Sequence, residues 1–192
     1  DMVISLVPLF NAAAGNAAKD LSIPYLLITL DADLTFWLSD MKKCKNEDIK
    51  ITVGTMTSKI KKQLAAAKIK PSNIKVVGHP IRADFFEPKD VDAIRKDWKL
   101  PNKPTAMIIR GGTGSSQLIA CAKALANVDY PLHLLVCIGR NNQLESQLKK
   151  ITFNQNVSLS VIPFTQRISD LMAASDLIIT QPSPNVCNEA LH

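Results

Sequence analysis

Three short segments carry residues that suit the binding of a phosphorylated nucleotide. The first is the glycine-rich stretch IIRGGTGSSQ, residues 108–117, which follows an apolar run and precedes a helical pattern. Glycines let the backbone approach a phosphate closely, and the free N–H groups at a helix start favour an anion. The stretch lacks the Gly-Lys-Ser/Thr of a P-loop, and Gln117 stands where a dinucleotide fingerprint needs its third glycine. A tight turn with a purely structural role is therefore an open alternative.

The second and third segments add charged side chains. VGHPIRADFF, residues 77–86, places Arg82 just after a strand end, and its fork-shaped guanidinium suits a phosphate pair. SDLIITQPSPNVCNEAL, residues 175–191, ends a strand in a turn and continues into a short helix with Glu189. A carboxylate in that position can accept hydrogen bonds from ribose hydroxyls. The alternatives are a surface arginine, an exposed helical glutamate and, for His79, a turn residue bonded to backbone rather than a catalyst.

Short apolar runs alternate with helical patterns along most of the chain. The runs are apolar on both faces and most precede a crossover helix, which is typical of a parallel, doubly wound α/β sheet. The predicted strands are 2–7, 24–30, 49–54, 74–78, 105–110, 132–138, 157–162 and 176–180, and the predicted helices are 11–21, 57–69, 115–128, 141–151 and 165–175.

The alternation is interrupted once, between Ala83 and Pro104, where three prolines and many charges surround one short helix. A long connection of this kind is typical of a linker or a functional loop. We therefore predict two Rossmann-like parallel-sheet units, in residues 1–84 and 103–192, joined by a linker in residues 85–102.

Charge and composition restrict the partners. Between Lys42 and Lys75, ten lysines accompany only Glu47 and Asp48. This basic region is either a solvated helix face or a surface attracted to anionic lipids, at about 1 kcal/mol per lysine. It lacks arginine, and aromatic residues are only 5% of the chain, so nucleic acid is not expected as a partner. The four cysteines form no C-x-x-C pair, which favours a reducing, cytosolic compartment.

With the three segments in this order, the chain resembles the family 28 glycosyltransferases of GT-B architecture. The resemblance runs along the whole chain and is most specific in VGHPIR, RGGTGSS, FTQRISDLMAASDLIIT and QPSPNVCNEAL. The runs KIKPSNIKVVGHPIRADF and CIGRNNQLESQLKK favour the branch that glycosylates diacylglycerol. The resemblance implies two Rossmann-like domains across a cleft, with the lipid acceptor on the N-terminal domain, residues 1–84, and a UDP-sugar on the C-terminal domain, residues 103–192.

The resemblance also implies site residues. Arg82 would help neutralise the pyrophosphate, and Glu189 would bind the ribose hydroxyls. Gly139 and Arg140 would lie beside the nucleoside, and Phe164 would begin the loop that faces uracil. The pyrophosphate side of the donor would be wrapped by Gly111, Gly112, Thr113, Gly114 and Ser115.

The chain departs from the family pattern before its glutamate helix. Ser183 replaces a glycine of the donor-binding turn, and Val186 replaces a threonine, which removes a hydroxyl from the phosphate side. On the acceptor side, Asp31 and Asp33 follow a strand end that should face the cleft, which makes them candidates for the catalytic base. A capping and turn role is their alternative.

The implied reaction is an inverting transfer of a hexose from a UDP-sugar to a membrane lipid acceptor such as diacylglycerol. The UDP-sugar is a substrate, no cofactor or metal is expected, and the enzyme would be cytoplasmic and peripheral to an anionic membrane. A catalytically silent nucleotide- or partner-binding module is the main alternative, and a UDP-sugar epimerase ranks last. The resemblance further predicts that both domains are incomplete here, so that a chain lacking both ends would be inactive by itself.

Overall fold

The computed structural model describes residues 1–110 and 116–192 and comprises two compact units, Asp1–Pro80 and Ile81–His192. Each unit contains one sheet in which every strand pair is parallel, with helices between successive strands. The predicted fold class, two Rossmann-like parallel-sheet units, is confirmed. Every predicted strand and helix is present, with ends that differ by up to three residues.

The first unit consists of β1 (Val3–Ser5), α1 (Asn11–Asp20), β2 (Tyr25–Thr29), β3 (Lys50–Val53), α2 (Ser58–Ala66) and β4 (Ile74–Val76). The strands lie side by side in the order β1-β2-β3-β4. The two central strands contribute Leu27, Ile51 and Val53 to a core in which α2 buries Ile60 and Leu64. The Thr57 side chain caps α2 by accepting a hydrogen bond from the Ile60 N–H, and this cap fixes where the helix begins. With that start, Ile60 and Leu64 lie on the buried face of the helix.

A buried polar network links the elements of the first unit. Asn11 at the start of α1 is fully buried, and its Nδ2 donates to the Trp37 carbonyl at 3.0 Å. Its Oδ1 accepts hydrogen bonds from the Ser5 hydroxyl at 2.8 Å and the Tyr25 hydroxyl at 2.9 Å. One side chain therefore ties β1, α1 and β2 to the segment that follows β2.

His79 has the turn role that the sequence indicates. Its Nε2 lies 3.0 Å from the Leu30 carbonyl, within hydrogen-bonding distance. A Cβ atom at Gly54 would lie 2.6 Å from the His79 ring, so glycine is required for this close approach. The imidazole thus fastens the chain after β4 to the carboxyl ends of β2 and β3.

The second unit consists of α3 (Val91–Asp97), β5 (Thr105–Ile109), α4 (Gln117–Leu125), β6 (Leu132–Gly139), α5 (Gln143–Leu148), β7 (Val157–Pro163), α6 (Ile168–Ala173), β8 (Leu177–Thr180) and α7 (Pro184–Ala190). Its strand order is β7-β6-β5-β8. All of β5 and nearly all of β6 are buried, because helices cover both faces of the sheet. Leu118 and Leu144 of α4 and α5 pack on one face, and Leu171 of α6 packs on the other.

The segment 85–102, predicted to be a linker, lies within the second unit. Phe85 is buried in the core on the α6 side of the sheet, and Trp98 packs against the same cluster. Arg95 of α3 donates to the carbonyls of Ala174, Pro101 and Lys103 at 2.6–3.0 Å. These contacts explain why a proline-rich, charged segment is an integral part of this unit.

Candidate functional site

The carboxyl ends of three neighbouring strands of the second unit open onto one cavity. It has a volume of about 270 Å³, and its wall includes Ile109 from β5, Gly139 from β6 and Pro163 from β7. Ligands of open α/β sheets bind at this edge, outside the carboxyl ends of the strands. The cavity is therefore the candidate ligand site of the second unit.

Gly139 and Phe164, both predicted beside the nucleoside, lie in the wall of this cavity. Gly139 has a φ of 59°, a conformation that favours glycine, and the register between β6 and β7 shifts between Cys137 and Gly139. The next residue, Arg140, is exposed, and its guanidinium lies 4.1 Å from the centre of the Phe164 ring. An arginine stacked on a half-exposed aromatic ring presents a flat, cationic surface of the kind that suits a base.

Cys137 lines the cavity without being poised for chemistry. Its side chain is buried in β6, and burial raises the pKa of the Cys137 thiol to about 12. The thiol is protonated at neutral pH, because the thiolate would lose its hydration. Cys137 therefore contributes an apolar wall rather than a nucleophile.

Helix α7 brings Val186 and Glu189 to the cavity. Pro184 occupies its first turn, where the missing N–H costs nothing because the first helical N–H groups have no intrahelical partner. Residues 186 and 189 are three positions apart and share one face of the helix. Both line the cavity, whereas Ser183, the described residue just before the helix, does not line it.

Arg82, predicted at the pyrophosphate, and Glu189, predicted at the neighbouring ribose hydroxyls, form an ion pair. Arg82 Nε lies 3.4 Å from Glu189 Oε1, and both residues line the cavity. The Glu189 side chain is 19% exposed and that of Arg82 is 49% exposed. The guanidinium also lies 4.9 Å from the centre of the Phe85 ring, and its Nε is 3.7 Å from Asp84 Oδ1.

A second arginine occupies the same edge of the sheet. Arg110 follows β5 directly, and its Nη2 donates to Gln181 Oε1 at 3.0 Å, just beyond β8. Its Nε is buried and has no hydrogen-bond acceptor among the described residues. In the sequence Arg110 directly precedes the glycines, where it could add a donor to the phosphates or point away, and no pattern singles out Gln181. The predicted phosphate residues Gly111, Gly112, Thr113, Gly114 and Ser115 lie outside the described residues.

Asp31 and Asp33, the candidates for a catalytic base, are bound into a turn of the first unit. Asp33 Oδ1 accepts hydrogen bonds from the Thr35 N–H, the Thr35 hydroxyl and Gln63 Nε2, at 2.6–2.9 Å. Lys59 Nζ lies 2.7 Å from Asp33 Oδ2, and this hydrogen bond, followed by those from Thr35 and Gln63, holds the pKa of Asp33 well below its usual range. Asp31 Oδ2 accepts a hydrogen bond from Trp37 Nε1 at 2.6 Å. Their geometry fits the turn alternative, and a catalytic role for either remains a prediction.

The ten lysines of the basic region, residues 42–75, are all exposed. Two of them form ion pairs, Lys59 with Asp33 and Lys70 with Glu47. Lys61, Lys62, Lys68 and Lys75 form no ion pair with a described residue. The basic region is therefore solvent-exposed and carries an excess of positive charge.

Residues 1–110 and 116–192 contain neither a metal-binding cluster of side chains nor a helix that could span a membrane. No group of three or more His, Cys, Asp or Glu side chains there could hold a metal ion. No helix in those ranges has the length and apolarity needed to cross a bilayer.

Solved structures define the class of fold. HepE of Anabaena, solved in complex with UDP-glucose, matches all of this chain with a TM-score of 0.61 at 15% identity, over 57% of its own length. MurG of Acinetobacter baumannii matches 98% of the chain with a TM-score of 0.57 at 19% identity, over 49% of its length. At these identities the likeness establishes the fold alone, and that fold is the GT-B fold of glycosyltransferases.

Relatives that are similar in sequence indicate which glycosyltransferases with this fold the chain is related to. Monogalactosyldiacylglycerol synthase of Spinacia oleracea is 31% identical over 144 residues, covering 70% of this chain and 27% of that enzyme. Processive diacylglycerol β-glucosyltransferase of Bacillus subtilis is 30% identical over 135 residues, covering 70% of the chain and 35% of that enzyme. A probable monogalactosyldiacylglycerol synthase of Oryza sativa matches the whole chain at 28% identity over 39% of its length.

No profile of a known protein family matches the chain. The chain spans well under half the length of these three relatives. The resemblance to the family 28 glycosyltransferases of GT-B architecture, and to their glycolipid-forming members, is confirmed.

Proposed function

We propose that the protein is a UDP-sugar-dependent glycosyltransferase that transfers a hexose to a membrane lipid such as diacylglycerol. One observation carries the proposal: a single cavity at the carboxyl edge of the second sheet is lined by four predicted donor residues, Arg82, Gly139, Phe164 and Glu189. The names of the relatives support a lipid acceptor, and the UDP-glucose complex of HepE supports a nucleotide-sugar donor.

The residues that line the cavity would bind the nucleoside part of the donor. Phe164 and Gly139 would hold the nucleoside, with the ring of Phe164 as a stacking surface. Glu189 would accept hydrogen bonds from the ribose hydroxyls. The acceptor hydroxyl would then attack the anomeric carbon and release its proton to a general base, the bond from that carbon to the diphosphate would break, and UDP would leave, with inversion at the anomeric carbon.

Departure of UDP needs stabilisation of the charge that develops on its diphosphate. Backbone N–H groups and arginine can supply it without a metal ion, since preorganised donors stabilise developing charge strongly in a water-poor site. Arg110, half-buried at the same strand edge and with no acceptor for its Nε among the described residues, is one available donor. The absence of cofactor and metal from the reaction remains part of the proposal.

Calorimetry of the complete protein with UDP tests the donor site, and release of UDP with diacylglycerol as acceptor tests the reaction. Glu189→Ala is expected to weaken UDP binding by roughly 1–3 kcal/mol, because a charge-assisted hydrogen bond is lost. No binding at millimolar UDP would remove the proposal. Binding without turnover toward any UDP-sugar would favour the catalytically silent alternative, which is motivated by the departures in SPNVCNEA, Ser183 and Val186, and by the missing catalytic base.

A further inference from the structure

The Glu189 carboxylate is the most confined charged group of the cavity. Its side chain is only 19% exposed, so little water reaches it. A carboxylate withdrawn from water needs a paired cation or hydrogen-bond donors to remain ionised at low cost. Among the described residues, Arg82 is the cation paired with it, with Nε 3.4 Å from Oε1.

Arg82 is itself held in place. Its guanidinium lies 4.9 Å from the centre of the Phe85 ring, and Phe85 is buried in the core of the second unit. Asp84 contacts the same Nε at 3.7 Å. A guanidinium restrained by an aromatic face and a second carboxylate has few alternative rotamers to adopt, so it gives Glu189 a fixed neighbour.

The local charge balance bears on the role of Arg82. Among the described residues, the guanidinium of Arg82 is matched by two carboxylates, Asp84 and Glu189, so Arg82 itself adds no surplus of positive charge. A residue whose main task is to neutralise a diphosphate would supply such a surplus. The arrangement is better suited to orienting a carboxylate than to attracting an anion.

We propose that Arg82 is a positioning residue for Glu189, holding its carboxylate where it can accept hydrogen bonds from both ribose hydroxyls of the donor. The inference rests on the proposed function and adds to it a determinant of specificity for ribonucleotides. Arg82 therefore controls discrimination between a ribose and a deoxyribose, in addition to any contact that its terminal amino groups make with phosphate.

Two nucleotides with the same diphosphate separate this role from phosphate binding. UDP and 2′,3′-dideoxyuridine 5′-diphosphate differ only in the hydroxyls that Glu189 would contact. The complete wild-type protein is expected to prefer UDP by on the order of 10- to 100-fold, the value of a hydrogen bond to a charged group. The ratio of the two dissociation constants, measured by calorimetry, is the readout.

In Arg82→Gln this ratio is expected to fall to about 3 or below, because Glu189 loses its counter-charge and its fixed position. Arg82→Lys keeps a positive charge within reach and is expected to give an intermediate ratio. Lys96→Gln, which removes one charge from an exposed position of α3, is the matched control and should leave the ratio unchanged.

Retained binding of the dideoxy nucleotide shows in the same experiment that a variant is folded. If Arg82→Gln weakens both nucleotides equally and preserves the ratio, Arg82 contacts phosphate alone and the inference is wrong. If Arg82→Gln does not fold, an Arg82→Lys ratio equal to that of the wild type overturns the inference. Absence of UDP binding by the wild type is a different outcome, because it removes the proposed function itself.

Discussion

The Asp33 carboxylate accepts several hydrogen bonds, and these would have to break before it could take up a proton as a catalytic base. Lys59, Thr35 and Gln63 occupy its oxygens, and the pKa of its carboxyl is held well below its usual range, first by the hydrogen bond from Lys59. A carboxylate with a depressed pKa accepts a proton poorly. The position of the Asp33 side chain is also explained by a structural role, because its Oδ1 accepts a hydrogen bond from Gln63 Nε2 of α2 at 2.7 Å.

We therefore expect Asp33→Asn to retain glycosyl transfer to within about tenfold, since removal of a general base costs about 10²–10⁴-fold. The same substitution should lower the melting temperature, because the ion pair with Lys59 is lost. Turnover of the complete protein and its thermal unfolding should be measured on the same preparation. A loss beyond 100-fold with unchanged melting temperature and UDP affinity would identify Asp33 as the base.

Asn11 is a buried polar residue whose loss should destabilise the first unit. Asn11→Ala would leave the Tyr25 hydroxyl and the Trp37 carbonyl without their buried partner. We expect a loss of about 2–4 kcal/mol in the free energy of unfolding, measured by urea denaturation, because unsatisfied buried groups carry their desolvation cost. Asn16→Ala, on the same helix but with solvent-exposed hydrogen bonds, is the control and should cost about 1 kcal/mol. Equal losses for the two would show that the network is dispensable.

Sequence reasoning singled out individual residues that line the cavity, but it did not predict the contacts between them. Arg82 and Glu189 stand out because each follows a strand end, a signal that is local. Their ion pair is not local, since α7 and the segment after Pro80 meet only in the folded second unit. The sequence also does not predict the buried network of Asn11. Asparagine is common at helix starts, and nothing in the sequence shows that this helix start is buried.

At the scale of elements, apolar periodicity predicted the strands and helices well, because both sheets bury contiguous runs. The ends were less accurate for α2, α4 and α5, whose C-terminal ends were each predicted three residues too far along the chain. The segment 85–102 was interpreted from its prolines and charges, although Phe85 and Trp98 supply the apolar contacts that place it in the second unit. Composition alone does not reveal which few residues of a polar segment are anchors.

Strand β6 contains a buried titratable residue that should make its unit sensitive to acid. His133 is 2% exposed, its Nδ1 lies 2.9 Å from the Ser158 hydroxyl, and its Nε2 has no described partner. Burial, and then the charges of Arg95 and Lys103, lower the pKa of His133 from 6.5 to about 4. The folded strand therefore keeps the imidazole neutral where the unfolded chain would bind a proton.

The direction in which stability changes with pH follows from proton linkage. Between pH 6.5 and 4 the unfolded state binds more protons at this position, so stability is present above pH 6.5 and falls as the pH drops toward 4. His133 accounts for at most about 3 kcal/mol of that loss. Hydrogen exchange of β6 amides should show faster opening of the wild type at pH 4.5 than at pH 7. The change should be smaller in His133→Gln, and an identical pH response in that variant would contradict the assignment.

At the scale of the molecule, positive charge is unevenly divided along the chain. Residues 1–80 contain eleven lysines and no arginine, against seven aspartates and glutamates. The ten lysines of the basic region are all exposed and accompany only two acidic residues. A surface of mobile, well-hydrated ammonium groups suits delocalised attraction to lipid head groups more than bidentate recognition of one phosphate.

The complete protein is therefore expected to bind vesicles that contain phosphatidylglycerol and to bind phosphatidylcholine vesicles weakly. Replacing Lys61, Lys62, Lys68 and Lys75 together with glutamine should weaken binding by roughly 600-fold, at about fivefold per lysine near the membrane surface. Because the attraction is screened, wild-type binding should also fall steeply as salt is raised.

The control is a protein with the same net charge but with the four substitutions in the second unit. Lys96, Lys99, Lys123 and Lys150 are exposed there and can be changed to glutamine together. If the basic region is the membrane contact, cosedimentation with vesicles should fall only for the first set, because local surface charge and not net charge sets the attraction. Equal weakening by both sets would show a general charge effect, and no weakening by either would leave the basic region as a solvated surface.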